Sequence, residues 1–438
     1  MALQALRGTS DVLPEAIARW SAVEHTARRL SRLYGYQELR TPLIEDAALF
    51  LRSVGETTDI VQKEMFRFED RGGHEIVLRP EGTASVVRAY LEGHLHKTEG
   101  FSKLFYLGPM FRAERPQAGR FRQFHQFGVE AIGSSSPWVD VEVIALCMHI
   151  LRECGATDTV VWLSSMGCRD DQARSANTLR AKLLPYKTEF DQQCQARFEK
   201  NVFRVLDCKN PSCQAIVTKL FATAEGGVAT GSPFFVCEDC EKHFVDVRLG
   251  LRDANIPFDD TRVFARGLDY YTRTVFEVRA EGLGAKDAVA AGGRYDHLVE
   301  ELGGPSMGAV GFAAGIERVL LAVDPQHTSS SANTARRGVY LAVAQPALVG
   351  EGFRLVQQLR SQGVPALMGY DHKSLKAQLR EADKARCQFV AILGEAELKQ
   401  RAITLKDLEQ SSQETVPLEA FAQTVAQRTK HAKIACHA

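Results

Sequence analysis

Between residues 104 and 130 the chain sets arginine, glutamate, glutamine and phenylalanine at positions that share one face of a strand. Side chains alternate between faces along an extended chain. In "RFRQFHQFGVE" (120–130), Arg122, Phe124, Gln126 and Glu130 therefore point one way, and Phe121, Gln123, His125, Phe127 and Val129 the other. In the preceding run "SKLFYLGPMFRAE", Arg112 and Glu114 share a face. Guanidinium groups suit phosphate oxygens through paired hydrogen bonds. A phenyl ring can stack on a base. A glutamate beside a glutamine can hold a cationic or hydrogen-bonding ligand. Two readings fit the pattern: a solvated face opposite a core, or the polar floor of a ligand pocket.

A second concentration of chemistry stands at 266–278, "RGLDYYTRTVFEV", where Arg266, Asp269, Tyr270, Tyr271 and Arg273 crowd the start of a β-like run. A plain strand needs none of them. Cysteines supply a third. "DCKNPSC" carries Cys208 and Cys213, and "VCEDC" carries Cys237 and Cys240. Two close pairs at this separation form a structural-zinc pattern, with His243 as a substitute ligand; the alternative is four unrelated thiols. Neither G-x-x-x-x-G-K-[ST] nor a strand followed by G-x-G-x-x-G occurs, so a nucleotide would need another architecture.

Taken together, the motifs resemble a known family. "MFRAERPQAGRFRQFHQFGVE" (110–130) is similar to the second signature of class II aminoacyl-tRNA synthetases, in the form found in histidyl-tRNA synthetases. "GFAAGIERVLLA" (311–322) resembles the third signature, and "YGYQELRTPLIE" (34–45), with Pro42, the first. "RGLDYY" (266–271) and "AGGRYD" (291–296) resemble segments peculiar to the histidine enzymes, and "RGTSDVLP" and "LRPEGTASVVRA" fit as well. The resemblance runs in order along nearly the whole chain.

It implies a ligase that joins histidine to ATP as histidyl-adenylate and passes the histidyl group to the terminal ribose of tRNA(His). By resemblance Arg112 holds the α-phosphate, Arg318 the γ-phosphate, Glu114 and Phe124 the adenine, and Arg120 and Arg122 the pyrophosphate. Glu81, Thr83 and Gln126 receive the amino group of histidine. Glu130 and Tyr271 bind its imidazole, with Tyr270 and Tyr295 close by. Arg266 bridges the carboxylate and the α-phosphate, offsetting the repulsion of two anions as they meet. An ordinary salt bridge, for instance to Asp269, is its other reading. Arg115 and Gln117 approach the acceptor end of the tRNA. Magnesium accompanies ATP, and a homodimer is implied, with the first signature at its interface. A non-catalytic paralogue, acting as a histidine sensor or regulatory subunit, is the alternative; the presence of Arg112, Arg266 and Arg318 and of a full C-terminal domain speaks for the enzyme.

The elements that must position these residues follow from pattern. Residues 14–34 predict a helix, with Pro14 in its first turn and Ile17, Trp20, Val23, Ala27, Leu30 and Leu33 at helical spacing. Two β-like runs flank a turn at Gly72–Gly73, and a helix follows over "EGTASVVRAYLEG". Residues 104–130 predict a long hairpin, and 139–153 a helix. The polar, helical stretch from about 170 to 258 reads as an insertion. A linker at 324–337 separates a catalytic domain, 1–323, from a C-terminal domain, 338–438, of alternating strands and helices. The expected fold is α/β in the α+β sense: an antiparallel class II core with a helical insertion, then an α/β anticodon-binding domain. In that domain Lys373, Lys376, Arg380 and Lys384 form a basic helix stripe, a candidate RNA backbone contact, opposite Leu375, Leu379 and Ala382.

Composition agrees. The 438 residues are 45% hydrophobic and 25% charged, with zero formal net charge. Length predicts two or three domains, and neutrality confines any nucleic-acid surface to a local patch. The first residues lack a signal-peptide pattern, and no apolar run is long enough for a bilayer, which makes the cytoplasm the expected compartment and a membrane partner unexpected. Ten cysteines in such a chain predict reduced or metal-bound thiols over disulfides.

Overall fold

The structure is a computed structural model that describes residues 3–55, 58–116, 119–206, 208, 210–221, 235–261, 269–280, 288–323, 336–371 and 373–430. Arg266 and Gln117, and most of the expected linker, lie outside the described residues. The chain divides into two units, Met1–Thr328 and Ser329–Ala438.

The first unit contains strands β1 (Gln37–Glu38), β2 (Ile44–Asp46), β3 (Phe66–Glu69), β4 (Glu75–Leu78), β5 (Ser102–Phe111), β6 (Gln123–Ile132), β7 (Thr159–Ser165), β8 (Phe258–Asp259), β9 (Thr272–Ala280), β10 (Ala288–Arg294) and β11 (Ala309–Gly315). Eight of them form one sheet in the order β1-β5-β6-β11-β10-β9-β7-β8, while β2-β4-β3 form a small sheet of their own. The six central strands are all antiparallel neighbours. The expected hairpin is β5–β6, registered from Ser102 opposite Ile132 to Phe111 opposite Gln123.

Helices are α1 (Pro14–Leu33), α2 (Ala47–Val54), α3 (Thr83–Glu92), α4 (Leu95–Thr98), α5 (Pro137–Glu153), α6 (Arg169–Leu183), α7 (Gln192–Lys200), α8 (Pro211–Phe221), α9 (Glu238–Asp253), α10 (Leu298–Glu301) and α11 (Ile316–Ala322). Pro14 opens α1, where its missing N–H is no loss, and Val23, Ala27 and Leu30 bury one face. Ser136 caps α5 through Trp138 N, with Pro137 next. Side chains of α1, α5, α9 and α11 pack on one face of the sheet, against Phe127, Val129, Phe276, Val278 and Phe312. Period-two alternation then sends Phe124, Gln126 and Glu130 of β6 to the opposite face, where the site lies.

After β7 the chain makes a helical excursion through α6, α7 and α8. Its small core gathers Leu179, Leu183, Phe190, Phe198, Val202 and Val205 with three cysteines. Helix α9 lies within the stretch read as inserted, yet Val247 and Leu251 join the main core.

The second unit has β12 (Val339–Val343), β13 (Ala366–Met368), β14 (Phe389–Leu393), β15 (Ala402–Asp407) and β16 (Gln413–Pro417), in the order β13-β12-β14-β15-β16. The first three are parallel, and the last two join antiparallel. Helices Val349–Ser361 and Leu418–Lys430 cover one face. Helix Leu375–Lys384 covers the other with Leu375, Leu379 and Ala382. Lys376, Arg380 and Lys384 are exposed, whereas Lys373 is engaged by Glu381 at 2.6 Å. Among the described residues no helix is long and apolar enough to cross a membrane.

Candidate active site

A cavity of about 590 Å³ opens on the polar face of the central sheet. Its lining includes Glu81, Thr83, Arg112, Glu114, Arg120, Phe124, Gln126, Tyr270, Tyr271, Tyr295 and Arg318. Residues from one end of the first unit to the other thus meet in one space. The lining holds carboxylates, guanidiniums and rings together, which decides between the two readings of the hairpin: its polar face floors a pocket.

The arginines are fixed by backbone. Arg112 Nε donates to Pro80 O at 3.0 Å, and its guanidinium lies 5.2 Å from the Phe124 ring centroid. Arg318, in the first turn of α11, donates to Gly119 O at 3.2 Å and to Ala288 O at 3.0 Å. Arg120 pairs with Glu114 at 2.8 Å. Arg122 is not part of the lining; its Nε reaches Glu114 O at 3.4 Å, and its backbone joins Arg112 N and Gly8 O. Arg115 is exposed.

At the other end of the cavity the donors and acceptors are buried. Glu81 accepts from Thr83 N at 2.7 Å and Ala84 N at 2.9 Å, at the start of α3. Burial pushes its carboxyl up, and those two N–H groups draw it back. Gln126 presents a buried Oε1 with no hydrogen-bond partner among the described residues, the kind of acceptor that a ligand amino group satisfies. Tyr270 packs edge-on against Tyr271 and Tyr295, with centroids 4.8 and 5.7 Å away. Burial raises the Tyr270 and Tyr295 hydroxyls well above the usual phenol range, so both stay neutral donors.

Glu130 is fully buried and lies behind the cavity wall, not in it. Thr83 Oγ1 donates to its Oε1 at 2.7 Å, and the Tyr295 hydroxyl donates to Oε2. Loss of water raises its carboxyl from 4.5 to about 8, against the opposing pull of the two hydroxyls. Its neighbour on β11 is Gly311, and on β5 Leu104. A Cβ on Gly311 would overlap Glu130 Oε2, so the carboxylate occupies the room that any other residue would fill. The next glycine in that row, Gly293, lies under the Tyr271 ring, and a Cβ there would stand 2.9 Å from Tyr271 Cδ1. Gly293 of "AGGRYD" and Gly311 of "GFAAG" are thus the thin floor that leaves room for Tyr271 and Glu130.

Arg294 of "AGGRYD" is fully buried and turned away from the cavity. It binds Asp140, Ser134 O, Ser136 O and Asp296, which anchors the strand end that carries Tyr295. His243 completes that network, with Nε2 3.4 Å from Asp140 Oδ1. It belongs to neither cysteine cluster, although the sequence offered it as a substitute ligand. The four cysteines expected at one site are also separated. Cys208 and Cys213 gather with Asp191 and Cys194, while Cys237 and Cys240 gather with Cys168 and Asp171. The starts of α8 and α9 hold the two pairs in different places, and each finds nearer partners that spacing alone did not suggest.

Sequence reasoning also missed the wall supplied by the excursion. Arg197, Arg204 and Asp191 line the cavity. Arg197 meets Asp59 at 3.3 Å, and Arg204 meets Asp269 at 3.1 Å. Asn201 Nδ2 also donates to Asp269, at 3.1 Å. Nothing local distinguishes these arginines from the polar helices around them.

Comparisons with known proteins agree with this geometry. The histidyl-tRNA synthetase family model matches residues 8–189 and 243–319, and the anticodon binding domain model matches 338–428. The gap between the first two segments covers most of the excursion. The histidine–tRNA ligase of Desulfitobacterium hafniense is 44% identical over 430 residues, covering 98% of this chain and 99% of that one. That of Moorella thermoacetica is 46% identical over 422 residues, covering 94% and 96%. The crystal structure of apo S. aureus histidyl-tRNA synthetase superposes with a TM-score of 0.78 at 32% identity, covering 97% of this chain and all of that one.

Proposed function

We propose a division of labour in the cavity from one premise: the chain belongs to the histidyl-tRNA synthetase family and is an ATP-dependent histidine–tRNA ligase. Enzymes of this class use ATP with magnesium, which enters as part of the substrate complex. Histidine's carboxylate attacks the α-phosphorus, pyrophosphate leaves, and the histidyl group then passes to the terminal ribose of tRNA(His).

Little covalent help from protein is needed; alignment and charge neutralisation carry the reaction. Arg112 takes the α-phosphate and Arg318 the γ-phosphate of a bent ATP. Arg120 and Arg122 attend the pyrophosphate, and adenine stacks on Phe124 beside Glu114. Glu81, Thr83 and Gln126 receive the α-amino group. Tyr271 and Glu130 read the two imidazole nitrogens, with Thr83 and Tyr295 holding the Glu130 carboxylate in place. An amino acid without those nitrogens would leave buried polar groups unpaired, a large penalty. Arg266 bridges carboxylate and α-phosphate. Arg115 and Gln117 serve the acceptor end of the tRNA. Exposed Leu43, Ile44 and Phe68, beside Pro42, support a homodimer face at the first signature. The cytoplasm is the compartment that fits translation.

The observation that carries this assignment is the meeting of Arg112, Arg120, Arg318 and Phe124 with Glu81, Thr83, Gln126 and Tyr271 around one cavity. Histidine-dependent ATP–pyrophosphate exchange tests it. Arg266→Ala should slow exchange ~100-fold or more, in the range for losing a preorganised charge stabiliser, with the folded fraction unchanged. Near-normal exchange in that variant would remove Arg266 from the mechanism.

A further inference from the structure

The excursion between β7 and α9 contains two clusters that the ligase chemistry does not use. Each consists of three cysteines and one aspartate whose ligand atoms lie within 4.8 Å of one another. We propose that each cluster holds one structural zinc ion, so that the chain carries two Cys3Asp sites.

The first site is built around the start of α7. Asp191 caps that helix, accepting from Cys194 N at 2.7 Å with Oδ1. Its Oδ2 stands 3.6 Å from Cys213 Sγ and 3.9 Å from Cys208 Sγ. A tetrahedral zinc with sulfur at ~2.3 Å and oxygen at ~2.1 Å sets such sulfur and oxygen atoms ~3.6 Å apart. All three thiols are buried. Asn210 Nδ2 donates to Asp191 Oδ2 at 2.9 Å, and Asn210 N reaches Cys208 Sγ at 3.4 Å. Those two contacts orient a carboxylate and a sulfur, as outer-shell groups do around a metal.

The second site joins two helix N-termini. Cys168 and Asp171 occupy the cap and third positions of α6; Cys237 and Cys240 occupy the same positions of α9. Asp171 is 1% exposed; Cys168 N donates to its Oδ2 at 3.1 Å, and the Cys237 N–H and the Cys237 and Cys240 thiols surround the rest of its carboxylate. A buried carboxylate gathered with three sulfurs within 4.8 Å of one another is a costly arrangement unless a cation completes it. Four donors with no open position match a structural site, and the close spacing suits a single ion.

The placement explains why metal would be useful here. The excursion has a small core, and short lobes of this kind need a staple. The second site ties the point where the chain leaves β7 to the point where it returns in α9. The first fixes the stretch from α7 to α8 that brings Arg197 and Arg204 to the cavity wall, where Asp191 and Cys208 also stand.

Metal analysis of the purified full-length protein tests the proposal directly. Two zinc ions per chain are expected, falling to one in Cys213→Ser and to one in Cys240→Ser. Replacement by cobalt in the unmutated protein should give the intense thiolate-to-metal absorption and tetrahedral visible bands of sulfur-rich sites, which does not depend on either variant folding. A metal-free protein with freely titrating thiols would overturn it, as would disulfides within either cluster. A single ion lost in both variants alike would return the four cysteines to one shared site.

Discussion

Replacing Glu130 by glutamine separates the electrostatics of the histidine pocket from its shape. The carboxyl is fully buried, and burial raises it from 4.5 to about 8. Between those values the folded protein keeps a proton that the unfolded chain has released. The folded state binds more protons, so stability falls as pH rises. This group's contribution is complete below about pH 4.5 and lost as pH climbs through about 8. The shift corresponds to ~5 kcal/mol over that window, at 1.36 kcal/mol per unit. A glutamine side chain does not titrate there. Its amide fits the same space, and the Thr83 and Tyr295 hydroxyls can turn to match it. The stability of the native protein relative to Glu130→Gln should therefore fall by several kcal/mol between about pH 5 and about pH 9. Urea unfolding followed by tryptophan fluorescence reads this cleanly, because Trp20, Trp138 and Trp162 all belong to the first unit. The same variant replaces the carboxyl that accepts from imidazole, a neutral hydrogen bond worth ~0.5–1.5 kcal/mol, or ~2- to 13-fold in kcat/KM for histidine. The KM for ATP should hardly move. A stability difference that is the same at both pH values would refute the buried-carboxyl argument, and an equal loss in both substrates would refute the role in imidazole reading.

Gly311→Ala tests the thin floor. The added Cβ overlaps Glu130 Oε2 and the backbone of Val129, neither of which can retreat within the sheet. Overpacking of this kind costs ~1–3 kcal/mol; thermal unfolding should show it, and steady-state kinetics should show histidine affected more than ATP. In the second unit, changing Lys376, Arg380 and Lys384 together to alanine should weaken tRNA binding and flatten its salt dependence, by up to ~2–3 in the log–log slope if all three meet phosphates. Filter binding across a salt series measures this, and an unchanged slope would leave that helix face merely solvated.

The parts of this site that were readable in the sequence share one property: local pattern fixes them. Alternation along 120–130 put Gln126 and Glu130 on one face and Phe127 on the other, and the β5–β6 register and the helices packed on Phe127 obey it. The same rule does not tell how far a side chain stands from the ligand. Glu130 shares its face with Gln126, yet it lies beneath the wall, because its neighbour on β11 is a glycine and its oxygens accept from Thr83 and Tyr295. The cysteines make the same point over a longer distance. Spacing paired 208 with 213 and 237 with 240 correctly, since each pair straddles the start of one helix. It could not find Asp191 and Cys194, or Cys168 and Asp171, because those partners are brought in by the packing of α6 and α7. Arg204 is the extreme case: its neighbours in the sequence are ordinary, and only the fold sets it on the cavity wall, 3.1 Å from the aspartate beside Tyr270. Where chemistry depends on residues of one strand or one turn, the sequence is a sound guide; where it depends on a lobe closing over a sheet, the deciding contacts exist only after the chain has folded.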